Sequence, residues 1–108
     1  MKVAPEAYWL DTALMARPGN DDIQIDLKYD YRFNVARYPL YQAYFRKYKP
    51  TTLAIWGKFD PFFIPPGAEA FRRDIPEAKV RLLEAGHFAL ATNVDDIAAA
   101  IRQVPIKT

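Results

Sequence analysis

The chain has 108 residues, room for one small domain at most, and its 51% apolar and 26% charged content is that of a folded globular protein rather than a disordered one. A net charge of +2 is too small to imply a nucleic-acid partner, and no apolar run approaches the ~20 residues that span a bilayer. With no cysteine and a single histidine, a disulfide framework, a thiolate metal site and a zinc site are all disfavoured.

The first part of the chain reads as helical. Glu6 to Ala16 predicts a short helix closed by Arg17-Pro18-Gly19, where Pro18 cannot continue a helix and Gly19 tolerates the turn. Asn20 is placed to cap a second helix, with Asp21 and Asp22 in its first turn, running to about Arg37. Ile23, Leu27, Tyr31 and Val35 make one apolar stripe on it, and Ile25, Tyr29, Phe33 and Ala36 a second, so it is expected to pack on more than one side. Pro39 is expected to restart the chain, and Leu40 to Tyr48 to form a further helix. The aromatic and basic run from Tyr38 to Lys49 has two readings. One is stacking on nucleic-acid bases. The other, favoured here, is a helix that packs its rings inward with its cations on the rim.

The pattern changes near Pro50. Thr51 to Gly57 is a continuous apolar run, expected to be a strand buried on both faces as in a parallel sheet. Lys58 to Ile64 is a loop at its carboxyl end. Pro65-Pro66 opens a helix to about Asp74, stopped before Pro76, with Arg72-Arg73-Asp74 expected on a solvated face. Lys79 to Glu84 is the next strand, and Gly86-His87 follow it. Asn93 is placed to cap a last helix, with Val94, Ile97, Ala98 and Ile101 on one face. The fold class is therefore α/β: helices over residues 1–49, then a β-α-β-α unit with two parallel strands over residues 50–108. One crossover helix joins the strands, and such connections are right-handed in nearly every case.

Both chemically interesting residues then fall at the carboxyl edge of the sheet, where open α/β sheets place their sites. Asp60 follows the first strand and His87, the only histidine, follows the second. A histidine acting as a general base needs an acceptor on its other ring nitrogen, and a carboxylate both fixes the tautomer and stabilises the imidazolium that forms. The structural alternative is an aspartate capping the next turn and a satisfied, half-buried histidine.

The stretch from Thr52 through Trp56-Gly57-Lys58-Phe59-Asp60 to Pro76, followed by Val80 to Leu90 with Gly86-His87-Phe88, resembles the C-terminal end of the α/β-hydrolase superfamily. The nearest likeness is to its epoxide hydrolase and haloalkane dehalogenase-like branch. Residues 6–48 resemble the last cap helices of such proteins and the helix that returns to their core. The resemblance implies a partial α/β-hydrolase fold in which Asp60 is the triad acid and His87 its base. It also implies that the nucleophile elbow and the oxyanion-hole loop are missing. The chain contains no serine and no cysteine, and no segment has the strand-turn-helix order of an elbow with a nucleophile at its turn.

Phe62, Phe63, Tyr8 and Trp9 are candidates to line an apolar substrate pocket, with plain packing the alternative for each. No metal and no cofactor is expected, and a small molecule is the expected partner only of a complete enzyme. Two apolar strands are more than this chain can cover, so a homo-oligomer or capture of the missing N-terminal half is expected. Nucleic acid and membrane are not expected partners. The lack of cysteine and of an apolar leader at Met1 to Pro5 makes the cytoplasm the expected location. The competing functional reading is a non-catalytic binding or assembly module that retains the tail of a hydrolase.

Overall fold

The computed structural model describes residues 2–105. The chain divides into two compact units, one comprising Ala4–Ala43 and the other the residues from Tyr44 onward together with those before Ala4.

In the first unit a 3-10 turn at Pro5–Ala7 precedes α1 (Trp9–Met15), and α2 (Asn20–Asp30) follows. The expected single helix from Glu6 is thus broken at Tyr8. Gly19 supplies the left-handed conformation (φ 78°) at the start of α2, a backbone state that side chains rarely adopt. Asn20 does not cap α2. Its amide instead donates to the Met15 carbonyl at 3.2 Å, closing the turn between the two helices.

The next helix, α3, is Arg32–Tyr48, and Pro39 lies inside it. The break expected at Pro39 occurs instead at Tyr31. There Arg32 donates to the Tyr29 carbonyl at 2.7 Å and lays its guanidinium over the Tyr29 ring (3.5 Å) and the Phe33 ring (4.3 Å). The arginine therefore takes up a carbonyl at the end of α2. Pro39 deprives α3 of one backbone donor without ending it. The two apolar stripes are not packed: Ile23, Ile25, Leu27, Tyr29, Tyr31, Phe33 and Val35 are all exposed.

The second unit holds the sheet. β1 (Leu53–Gly57) pairs in parallel with β2 (Lys79–Leu83), Leu53 opposite Lys79 and Gly57 opposite Leu83. Between them lie α4 (Pro66–Glu69) and α5 (Phe71–Asp74), two short helices where one was expected, separated at Ala70. After β2 come α6 (Ala89–Thr92) and α7 (Val94–Arg102). Asn93 precedes α7, but its side-chain oxygen accepts from the Thr92 hydroxyl at 2.7 Å and caps nothing.

The core is thin. Leu83, Ala85 and Ala89 form its centre, with Ile55 and Ile97 packed against them, and Ala54, Ala68, Ile75, Ala78 and Ala100 are also buried. Most of these are alanines, which remove little apolar surface from water. β1 is only partly covered, contrary to the expectation of burial on both faces, and each of the two strands of its sheet keeps one free edge.

Asp74 is not on a solvated face. Arg46 donates to its carboxylate at 2.7 Å, and the Phe45 ring lies 6.0 Å from the Phe71 ring. These contacts dock the last turns of α3 on α5. Of the rings on that part of α3 only Phe45 is half-buried; Tyr44 and Tyr48 remain exposed.

Candidate functional site

The site is assembled by an extension of the parallel ladder. Beyond the strand ends the Lys58 amide donates to the Leu83 carbonyl at 2.9 Å and the Phe59 amide to the Ala85 carbonyl at 3.0 Å. The loop after β1 is thereby sewn to the loop after β2. The Lys58 ammonium also reaches the Glu84 carboxylate at 2.7 Å, an exposed pair that adds little. At the junction the Gly57 backbone runs against the carbonyls of Ala85 and Gly86, where no side chain fits.

Asp60 is the buried polar side chain of this unit, 7% exposed. Pro61 follows it and fixes the turn. The amides of Phe62 and Phe63 then both donate to Asp60 Oδ1, at 2.8 and 2.9 Å. This is the side-chain-to-backbone turn that aspartate favours. It leaves Oδ2 for His87, whose Nδ1 lies 2.9 Å away. Burial pushes the Asp60 carboxyl up, but the Phe63 amide, His87 and the Phe62 amide together outweigh it and hold the group below the ordinary aspartate value. A carboxylate is therefore what faces His87. With Nδ1 donating to it, the proton-accepting nitrogen is Nε2, on the far side of the ring, and the side chain is 31% exposed.

Three aromatic rings surround that imidazole. Phe62 lies 5.1 Å from it, Phe63 5.2 Å and Phe88 5.2 Å, centroid to centroid. Phe63 is itself held by Trp56, whose indole N–H donates to the Phe63 carbonyl and whose ring lies 6.2 Å from the Phe63 ring.

Four of the six candidate residues thus come together: Asp60, His87, Phe62 and Phe63. Tyr8 and Trp9 belong to the other unit, where both are exposed and the Tyr8 carbonyl accepts from the Thr12 amide and hydroxyl. Sequence reasoning missed Phe88 as a neighbour of His87; the turn capped by Asp60, offered as the structural alternative, occurs together with the His87 contact, as a clamp from the Phe62 and Phe63 amides. The Asp60-Pro61 pair was the available signal for that clamp, since an aspartate before proline initiates turns. Two surface recesses lie at the opposite end of the strands, beside Leu53 and Lys79, and neither includes Asp60 or His87. Among the described residues no group of three or more histidine, cysteine, aspartate or glutamate side chains could hold a metal ion, and no helix is long and apolar enough to cross a membrane.

A known protein shares this stretch of sequence. The chain is 46% identical over 99 residues to the uncharacterized hydrolase YNR064C of Saccharomyces cerevisiae. The match takes in 92% of this chain but only 34% of the yeast protein, its C-terminal third. The chain thus resembles the C-terminal part of a hydrolase and spans about a third of the length of that relative. No family model and no solved structure matches it.

Proposed function

We propose that this chain is the acid–base portion of an α/β-fold hydrolase of the epoxide hydrolase and haloalkane dehalogenase-like kind, with Asp60 as acid and His87 as base. The observation that carries the reading is the 2.9 Å contact from His87 Nδ1 to an Asp60 carboxylate already clamped by two amides. Its position at the carboxyl ends of two parallel strands, together with the likeness to the last third of a hydrolase, supports the same reading.

In a complete enzyme His87 Nε2 takes the proton of the nucleophile, or of the water that attacks the covalent intermediate, and Asp60 stabilises the imidazolium that results. The bond broken is an ester, an epoxide or a carbon–halogen bond. The nucleophile and the oxyanion donors come from a polypeptide equivalent to the other two thirds of the yeast protein. Alone, this chain is expected to be inactive: none of its segments has the strand-turn-helix order of an elbow carrying a serine or an aspartate nucleophile, and it lacks the oxyanion-hole loop whose electrostatic stabilisation usually contributes most to catalysis.

A second reading, a non-catalytic assembly module, is favoured by the exposed apolar faces of α2 and α3. One experiment separates the two. This chain replaces the matching third of the yeast protein, and the chimera is assayed on a p-nitrophenyl ester, a styrene epoxide and a haloalkane. The catalytic reading expects turnover that His87→Ala lowers about 10²–10⁴-fold. Turnover indifferent to His87→Ala, or a chimera that assembles and turns over none of the three, leaves the assembly reading.

A further inference from the structure

We propose that Phe62, Phe63 and Phe88 are positioning residues that hold the His87 ring in register with Asp60. The proposal rests on the reading of Asp60 and His87 as acid and base, and assigns the rings a role that pocket lining does not describe.

One hydrogen bond fixes one atom of an imidazole. The Nδ1 contact to Asp60 leaves the ring free to swing about its two side-chain torsions, and a swing takes Nε2 away from any reacting atom. The neighbours of His87 restrict that swing. Phe62 and Phe88 stand near-perpendicular to it, at 68° and 80°, and Phe63 is tilted at 45°, all with centroids 5.1 to 5.2 Å away. Edge-on and tilted arrangements at this separation are those aromatic pairs prefer.

Core packing does not explain the rings' position. They are 74%, 58% and 58% exposed, so they remove little of their own surface from water. What they share is the imidazole. Phe62 and Phe63 also act through their backbone. Their amides hold Asp60 Oδ1, so the same two residues fix the acid through the main chain and the base through the side chains. Phe63 in turn is fastened to β1 by the Trp56 indole. The acid, the base and the strand end are thereby tied through one tetrapeptide, Asp60-Pro61-Phe62-Phe63. A site that depends on orientation needs its reactive side chains locked by neighbours in this way.

The test exploits the single histidine, which gives one set of imidazole resonances in the full chain. Ring-current shifts of the His87 carbon-bound protons report the phenyl rings, and the ring ¹⁵N shifts report which nitrogen carries the proton. In the unmodified protein the protons are expected to be displaced from random-coil positions and the Nδ1–H tautomer to dominate. Phe62→Leu, Phe63→Leu and Phe88→Leu keep apolar bulk but remove the ring; each is expected to lower the displacement and the share of that tautomer, and Phe→Tyr at the same position to restore both. The Trp56 indole N–H resonance shows whether the loop is intact in each variant. A Leu variant that retains the indole signal and leaves tautomer and shifts unchanged overturns the proposal while the acid–base reading survives. An unmodified chain with random-coil shifts or the Nε2–H tautomer overturns both. Should Phe63→Leu lose the indole signal, Phe62→Leu and Phe88→Leu decide the matter.

Discussion

A Cβ atom on Gly57 would overlap the carbonyl oxygen of Gly86 and stand 2.7 Å from that of Ala85. Both obstacles are backbone, so they cannot turn aside as a side chain can. The glycine at the end of β1 is there because the loop carrying His87 passes directly over it. Gly86, on the other side of the contact, has open space where its Cβ would be. Gly57→Ala is therefore expected to force the two loops apart and to destabilise the fold by about 1–3 kcal/mol, with His87 released from Asp60. Gly86→Ala is expected to do neither. Thermal unfolding of the pair of variants checks this, and equal tolerance of both would contradict it.

Acid titration provides a second prediction. The native Asp60 carboxyl lies below its ordinary value of 3.8, so the unfolded chain binds that proton more readily than the folded one. The group contributes stability in full above the unfolded value, and the contribution disappears as pH falls through the lower native value. Unfolding midpoints measured from neutral pH down to the acid limit should fall more steeply below that point in the wild type than in Asp60→Asn, which has no carboxylate to protonate. Parallel curves would mean that the amide clamp does not favour the carboxylate.

The Arg46–Asp74 contact gives a third. The carboxylate partner is mostly covered and the arginine is half exposed. Arg46→Ala should cost about 0.5–1 kcal/mol, less at high salt, by loosening the end of α3 from α5. A double-mutant cycle with Asp74→Ala isolates the pair, and a coupling of zero would show that the Phe45–Phe71 contact alone docks the helix.

How much of this is legible in the sequence follows from which residues act locally. The first strand stands out as a short apolar run ending at Gly57, and the second by Val80, Leu82 and Leu83 ahead of Gly86, and that places Asp60 and His87 at one edge. Proline, by contrast, misleads: Pro39 lies within α3 because losing one backbone donor does not end a helix whose other bonds persist. The Asp74 partner is hidden because Arg46 is 28 residues away, and no periodicity links them. The stripes of α2 and α3 point to burial that the structure does not provide, because apolar spacing reports a preference for cover and says nothing of what supplies it.

Those uncovered stripes carry a fourth prediction. A core built mainly of alanine, with free edges on both strands, leaves the chain short of buried surface on its own. Its sedimentation coefficient is expected to rise with concentration, and its unfolding midpoint with it. A sharp monomer whose midpoint is independent of concentration would count against a need for added partners.

The most direct test of the acid–base pair is the protonation pattern of His87 itself, read by long-range ¹H–¹⁵N correlation at a pH where the ring is neutral. The expected result is that Nδ1 carries the proton, held by Asp60, with Nε2 bare and available as a base, and that Asp60→Asn abolishes this preference. A proton resident on Nε2 in the unmodified chain, unchanged by Asp60→Asn, would contradict it.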